Sequence, residues 1–227
     1  MPPRATTQRK TGTERRREIL AAMLAMAADE GAEQVTTRAL ARRVGISEPA
    51  LYRHFPGGKA EMWRALASFV GEHMQDAWRR ALAHAQGAPA QLRALVTAQL
   101  GLMQSLPALP VILFTRALHR DNAALRAAMA EVAGRFHARL EQIVSAGQRR
   151  GELRRDVDPD TTAWLLISMM QGTTMRWWLN ERSFDLGREG ARLFETALTG
   201  LLVPADAPGA SGTDGGPAGG GPAPGQG

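Results

Sequence analysis

The sequence predicts an all-α protein, and three observations lead to this class. Apolar residues recur at spacings of three and four along most of the chain, and no segment shows the alternation typical of a β-strand. Capping residues, glycine and proline interrupt the pattern at short intervals, as at Gly87-Ala88-Pro89 and Asp158-Pro159. With 227 residues the chain can bury a substantial core and divide into two units.

The first helix is predicted to end at Asp29-Glu30-Gly31. Its beginning, Arg15-Arg16-Arg17 followed by ILAAMLAMAA, superficially resembles a secretory signal. The apolar run is short and rich in alanine, however, and Ile19, Met23 and Met26 fall on one helical face. We therefore interpret it as a folded helix. No stretch approaches the roughly 20 apolar residues of a membrane span.

A short second helix follows within residues 36–44. Thr36 or Thr37 can cap it, because a threonine hydroxyl satisfies a free N–H at a helix start. Leu40 and Val44 are four residues apart and share one face, and Gly45 supplies a residue that ends a helix without steric cost. The arginines left for solvent or a polyanion are Arg38, Arg42 and Arg43.

The third helix is predicted to begin near Ser47. Ser47 is a good N-cap, Glu48 suits the positive end of a helix, and Pro49 occupies an early position that needs no donor. Leu51 and Phe55 are four apart and point inward. With these two residues inside, the side chains on the opposite face point outward; they are Glu48, Pro49, Tyr52 and Arg53.

Two short helices joined by a glycine-centred turn are typical of a helix-turn-helix, whose second helix enters the major groove of DNA. Residues 1–64 contain twelve Lys/Arg and seven Asp/Glu, a net charge of +5, whereas residues 65–227 carry +1. Nearly all of the net charge of +6 therefore lies with this segment. Two amphipathic helices of an ordinary bundle, or a basic patch that meets acidic lipid, are the alternatives.

Residues 13–73, and above all the run LARRVGISEPALYRHF, resemble the DNA-binding domain of the TetR family of bacterial transcriptional regulators. One departure lies in Phe55-Pro56-Gly57-Gly58-Lys59, where the spacing between the aromatic residue and the lysine is one residue longer than is commonest in the family. We therefore expect Lys59 to contact a different phosphate. Tyr52, Arg53, His54 and Lys59 suit phosphate oxygens. The predicted DNA-binding residues are Thr36, Thr37, Arg38, Ser47, Glu48, Pro49, Ala50, Tyr52, Arg53, His54 and Lys59.

The predicted organisation has four parts. A flexible basic arm over residues 1–12 carries Arg4, Arg9 and Lys10, which can settle along phosphates. Residues 13–73 form the DNA-binding domain, with its motif at about 36–55, and residues 74–203 form a helical effector-binding and dimerisation domain. Residues 204–227 are rich in glycine and proline and contain no large apolar side chain, which predicts a disordered tail.

Behind the motif, breaks in the sequence predict helices over about 59–85, 89–105, 108–119, 121–150, 159–181 and 186–202. The segment 121–150 has the clearest amphipathic pattern. Its apolar stripe comprises Leu125, Met129, Val132, Phe136, Leu140 and Ile143.

The last two helices predict a homodimer. Around residues 164–179 apolar side chains surround nearly the whole circumference, and such a helix needs partners on several sides. We expect two helices from each subunit to form a four-helix bundle, which the TetR resemblance also implies. The predicted interface residues are Leu165, Met169, Gly172, Leu193, Ala197 and Leu201.

The resemblance further implies an effector cavity, enclosed largely by the helices between residues 89 and 181. A mostly apolar lining suits a hydrophobic or aromatic molecule. The predicted lining comprises Met103, Phe114, Leu118, Phe136, His137, Trp164, Met170, Gln171 and Trp177. Each apolar residue in this set can equally serve core or dimer packing.

The sequence therefore predicts a cytoplasmic, dimeric repressor that binds a palindromic operator and is released by a small hydrophobic effector. The absence of cysteine excludes disulfides and thiolate metal sites, and we expect neither a metal nor a cofactor. One rival is a DNA-binding protein of the same fold that works without an effector and couples DNA position to another cellular process. The other rival is an enzyme, for which no catalytic motif is present.

Overall fold

The computed structural model describes residues 11–106, 109–110 and 123–203. Within these residues the chain forms eight α-helices, a 3₁₀ turn at Ala32–Gln34 and no strand. The helices are α1 Gly12–Glu30, α2 Thr37–Val44, α3 Glu48–His54, α4 Gly58–Leu82, α5 Ala88–Ser105, α6 Ala123–Arg149, α7 Pro159–Leu179 and α8 Leu186–Leu201. The predicted all-α class is confirmed. Of the described helices, none has both the length and the apolar character that crossing a bilayer requires.

Several predictions lie outside the described residues. They are the helix at 108–119 except for Leu109 and Pro110, almost all of the basic arm, and the tail at 204–227. Phe114 and Leu118, two predicted cavity residues, also lie outside them. Elsewhere the predicted boundaries differ from the observed ones by up to three residues at the end of α4.

Helices α2, α3 and α4 pack against α1. A capping box begins this helix, in which the Thr11 hydroxyl accepts from Glu14 N at 3.2 Å and the Glu14 carboxylate accepts from Thr11 N at 2.7 Å. Ile19, Met23 and Met26 are buried, and α1 contacts α2, α3 and α4. The run that superficially resembles a secretory signal is therefore part of a packed helical core.

Helix α4 connects the two halves of the molecule. Its first half buries Met62, Trp63 and Leu66, whereas its second half packs against α5 and α6. The contact with α6 is close at Gly71, where an added Cβ would lie 2.8 Å from Val132 Cγ2. A displacement at the far end of this 25-residue helix can therefore be transmitted to α3 and its surroundings.

The C-terminal half is a helical bundle in which α5 packs on α4 and α8, and α6 packs on α4 and α7. The apolar stripe predicted on α6 is buried along its whole length. Gly147 allows α6 to approach α5, because an added Cβ would lie 2.5 Å from Ala88 Cβ. Asp158 caps α7 as predicted, and its carboxylate accepts from Thr161 N at 2.7 Å.

Candidate nucleic-acid interface and internal cavity

Helix α2 forms the support of the predicted motif. Thr36 is the residue that caps it, and its hydroxyl accepts from Ala39 N at 3.2 Å. Leu40 and Ala41 are buried. Gly45 ends the helix with φ = +74°, a backbone conformation that glycine adopts without the steric cost of a Cβ.

Thr37 links the two helices of the motif. Its Oγ1 donates a hydrogen bond of 2.6 Å to Glu48 Oε1, at the first residue of α3. The sequence predicted that Thr37 contacts DNA and that the Glu48 side chain points outward. In this structure both side chains are engaged with each other, so they fix the relative position of α2 and α3.

Helix α3 has one buried face and one exposed face. Ser47 caps it, accepting from Ala50 N at 3.3 Å, and Leu51 and Phe55 are completely buried. Tyr52 is 44 % exposed. Ser47, Pro49 and Arg53 are also exposed, and Glu48, Ala50 and His54 are half-buried. The apolar spacing thus places the predicted groove-facing residues on an accessible surface.

An arginine of α1 holds the end of α3 in place. Arg16 donates one hydrogen bond to the carbonyl of His54 and another, of 3.2 Å, to Glu61 on α4. Its guanidinium also lies over the Phe55 ring at 4.1 Å from the centroid. The sequence pattern alone did not indicate this role of Arg16. The sequence signal that could have indicated it is the position of Arg16 three residues before Ile19, which places Arg16 beside the buried face of α1.

The turn between α3 and α4 is anchored by the same carboxylate. Glu61 accepts from Gly57 N at 2.8 Å, and this hydrogen bond, aided by Arg16, holds the pKa of Glu61 below its ordinary value. Gly58 has φ = +62°, and an added Cβ there would lie 3.4 Å from the Tyr52 ring. Lys59 is exposed in the first turn of α4. The additional residue of this turn is therefore accommodated by glycine.

The exposed cations of this surface differ in their partners. Arg43 forms ion pairs with Asp29 at 3.2 Å and Glu30 at 3.6 Å. In contrast, four exposed cations form no ion pair with any carboxylate in the described part of the chain, namely Arg38, Arg42, Arg53 and Lys59. Such unpaired charge on α2, α3 and the start of α4 favours a polyanion.

A cavity of 320 Å³ lies between α4, α5, α6 and α7. Four of the predicted residues line it, Met103, Phe136, Met170 and Gln171. The remaining lining residues were not predicted; they are Met74, Gln99, Leu100, Arg126, Met129, Ala130, Val132, Ala133, Ile167 and Thr174. These residues come from four helices, so the spacing of residues along any one helix could not predict them.

Three predicted cavity residues do not line this cavity, which corrects their assignment. Trp164 is 49 % exposed on α7 and stacks on His137, with 4.5 Å between ring centroids. Trp177 is buried, and its indole N–H donates to the carbonyl of Phe184 at 2.8 Å. A helix that is apolar all round has no preferred inner face in its sequence, so the two tryptophans could not be told apart.

His137 belongs to a small polar cluster with Glu141 and Asp160. Within the described ranges, these residues bring three potential metal ligand atoms within 4.8 Å of one another. The imidazole Nε2 lies 3.2 Å from Asp160 Oδ1.

Comparison with known proteins identifies the family. Residues 19–66 match the family model described as bacterial regulatory proteins, tetR family, and residues 88–188 match the tetracyclin repressor-like C-terminal domain. The nucleoid occlusion factor SlmA of Vibrio cholerae is 33 % identical over 163 residues, covering 71 % of this chain and 83 % of that protein. SlmA of Marinomonas is 31 % identical over 159 residues, covering 70 % and 80 %.

The chain belongs to the TetR family. The resemblance noted in the sequence is thereby confirmed, and this TetR-family protein is a DNA-binding regulator. The fold is shared with solved structures of low sequence identity. FadR of Bacillus halodurans has a TM-score of 0.74 at 18 % identity and covers 85 % of this chain and 98 % of its own. A protein of Saccharomonospora viridis, solved with choline, has a TM-score of 0.75 at 21 % identity and covers 85 % and 100 %.

The predicted dimer residues of this TetR-family protein occupy different environments. Leu165 is 56 % exposed, Gly172 is exposed with open space where a Cβ would be, and Met169 is half-buried. On α8, Leu193 and Ala197 are half-buried. Leu201 is only 6 % exposed within one subunit, so its assignment to the interface is corrected to the subunit core.

Proposed function

We propose that this TetR-family protein is a homodimeric repressor that binds a palindromic operator and leaves it when a small hydrophobic molecule occupies the cavity. The observation that carries the DNA-binding part is the exposed face of α3, backed by the buried side chains of Leu51 and Phe55. A rigid, solvent-facing helix with unpaired cations beside it is what groove recognition requires.

The exposed face divides into two kinds of DNA contact. We assign contacts with base edges to Glu48, Pro49 and Ala50 in the first turn of α3, because the leading residues of a recognition helix enter the groove. Phosphates are assigned to the flanking hydroxyl groups and cations. These are Thr36, Arg38, Ser47, Tyr52, Arg53, His54 and Lys59, whereas the predicted contact of Thr37 is assigned to its support of Glu48, because its hydroxyl proton is already donated there.

The outer face of α7 supports dimerisation through a second copy of this chain. Trp164, Leu165, Trp178 and Leu179 are each about half exposed or more, a concentration of apolar surface that is unusual for a monomer. Leu165, Gly172 and Leu179 are seven residues apart, so they align along one side of the helix. A two-fold dimer would present two copies of α3 to grooves roughly 34 to 36 Å apart.

The cavity supports release by a ligand. Ten of its fourteen described lining residues are apolar, and four of these are methionines, which suits an apolar molecule. Met74 on α4 is part of the wall, and α4 begins at the turn that carries Lys59. A ligand that displaces α4 would change the spacing of the two recognition helices, which couples ligand binding to DNA binding.

Selection of genomic fragments by the purified protein, followed by affinity measurements at several salt concentrations, tests the proposal. We expect retention of a few palindromic sequences, bound at least about a thousandfold more tightly than random DNA at physiological salt. A cavity ligand should then lower operator affinity. Weak, uniform binding to all fragments would contradict operator recognition.

A second function is favoured by the relatives named nucleoid occlusion factor SlmA, which match about 70 % of this chain. In that function the protein binds DNA without an effector and couples DNA position to another cellular process. The discriminating observation is the response of DNA affinity to a molecule that fills the cavity. Unchanged affinity with the cavity occupied would favour this second function.

A further inference from the structure

One buried polar side chain faces the cavity with unused hydrogen-bonding groups. Gln99 on α5 is 8 % exposed and lines the cavity. Trp78 Nε1 donates to Gln99 Oε1 at 2.9 Å. Because an indole N–H can only donate, this bond fixes which amide atom is oxygen. The Nε2 group is thereby oriented away from Trp78 with two N–H donors.

Among the described residues, no acceptor is hydrogen-bonded to Gln99 Nε2. A buried donor without a partner is unfavourable, so a group in this position favours any ligand that supplies an acceptor. The amide is also held firmly, since Trp78 itself is buried and its ring lies 4.7 Å from that of Phe136, another cavity residue.

The remaining polar groups of the lining are less suited to this role. The Thr174 hydroxyl donates to the carbonyl of Met170 at 2.8 Å, so its proton is already used. Gln171 and Arg126 are exposed side chains at the edge of the cavity. Gln99 is therefore the polar group of the described lining that is both buried and able to donate to a ligand.

We infer that Gln99 selects the effector, which is a compact, neutral, mostly apolar molecule carrying a carbonyl oxygen that accepts from Nε2. This inference rests on the proposed function, since it names the ligand class of the same cavity. A neutral acceptor is favoured at Gln99 because a single amide does not offset the desolvation of a buried carboxylate, and the cation of the described lining, Arg126, is exposed rather than buried beside it. The volume of 320 Å³ is near the lower end of the range for small-molecule sites, about 300–1,000 Å³, which favours a compact ligand.

A matched set of probes tests the inference on the full-length protein. Tetralin and 1-tetralone differ by one carbonyl group, and 1-naphthoate supplies a charged acceptor of similar size. We expect calorimetry to show 1-tetralone binding about tenfold more tightly than tetralin, with 1-naphthoate weaker than 1-tetralone. The side-chain amide resonance of Gln99, identified by its loss in Gln99→Met, should shift with 1-tetralone and much less with tetralin.

Variants separate the ligand contact from the packing of the site. The double variant Trp78→Phe/Gln99→Met removes donor and acceptor together, so neither is left unpaired; it should bind tetralin and 1-tetralone equally. Trp78→Phe alone should keep the preference for 1-tetralone. If the wild type binds tetralin and 1-tetralone equally, this inference is overturned, but the proposal that the cavity binds an effector still stands. Failure of all three probes to bind would overturn both the inference and the ligand-binding part of the proposed function.

Discussion

Thr37 and Glu48 join the two helices of the DNA-reading motif through a 2.6 Å hydrogen bond from Thr37 Oγ1 to Glu48 Oε1. The bond spans the turn between α2 and α3 and holds the Glu48 carboxylate at the start of the recognition helix. An acidic side chain there can accept from the amino group of cytosine, provided that its position is fixed. We therefore expect Thr37 to contribute to sequence selection through Glu48.

Thr37→Val should release Glu48 while preserving the shape of the side chain. We expect operator affinity to fall about three- to tenfold, as for the loss of one hydrogen bond to a charged group. The discrimination at the base read by Glu48 should fall with it. Fluorescence anisotropy with single-base operator variants measures both effects. Thr97→Val, at an exposed position of α5, is the control and should change neither.

Glu61 should make stability depend on pH. Its pKa is lowered in the folded protein by the Gly57 N–H and by Arg16, below its ordinary value in the unfolded chain. The folded state therefore binds this proton less readily, so the stabilisation is present above the unfolded pKa and is lost as pH falls through the folded pKa. Urea unfolding of Glu61→Gln should show a deficit relative to wild type at pH 7 that disappears towards pH 3.

The matched control is Glu72→Gln, at an exposed position further along α4. Its difference from wild type should be small at every pH. A deficit in Glu61→Gln that stays constant from pH 7 to pH 3 would show that the carboxylate charge is not what stabilises the turn.

Two glycines of α6 should respond oppositely to substitution by alanine. At Gly147 an added Cβ would lie 2.5 Å from Ala88 Cβ and 2.8 Å from Leu153 Cδ1, so α5 and α6 must separate. We expect Gly147→Ala to lower the free energy of unfolding by about 1–3 kcal/mol. Gly134→Ala meets nothing within 4 Å and should raise it by up to about 1 kcal/mol through helix propensity. Thermal and urea unfolding measure both, and equal effects would contradict the close α5–α6 contact.

Gly190 on α8 lies close to a residue of the cavity wall. A Cβ added there would overlap Leu100 Cδ1, and Leu100 lines the cavity. We expect Gly190→Ala to push Leu100 inward and weaken 1-tetralone binding about tenfold. A crystal structure of the variant should show the displaced leucine. Gly200→Ala, which meets nothing within 4 Å on the same helix, should bind the probe like wild type.

The outer face of α7 should determine the oligomeric state. The double variant Leu165→Glu/Leu179→Glu places charges on two exposed apolar positions of one side of the helix. Sedimentation velocity should show a dimer for the wild type and a monomer for the variant, with loss of operator binding. Thr97→Glu, on exposed α5 surface, should remain dimeric. If the variant stays dimeric, the dimer interface does not lie on the outer face of α7.

Much of the motif could be predicted from the sequence because its determinants are local. Thr36, Gly45 and Ser47 act on backbone groups within four residues of themselves, and Leu51 and Phe55 define the inner face of α3 by their spacing alone. Helix limits followed from the same caps and breaks. The family resemblance then added the expectation of a second, ligand-binding half.

The tertiary structure decided what depends on contacts between distant segments. Arg16 reaches the carbonyl of His54, 38 residues away, and Trp78 reaches Gln99 from a different helix. The all-round apolar pattern of α7 could not show that Trp177 points inward while Trp164 points outward. Local spacing determines which face of a helix is apolar. The neighbours that cover a face, and the polar groups left inside it, follow only from the way in which the helices pack.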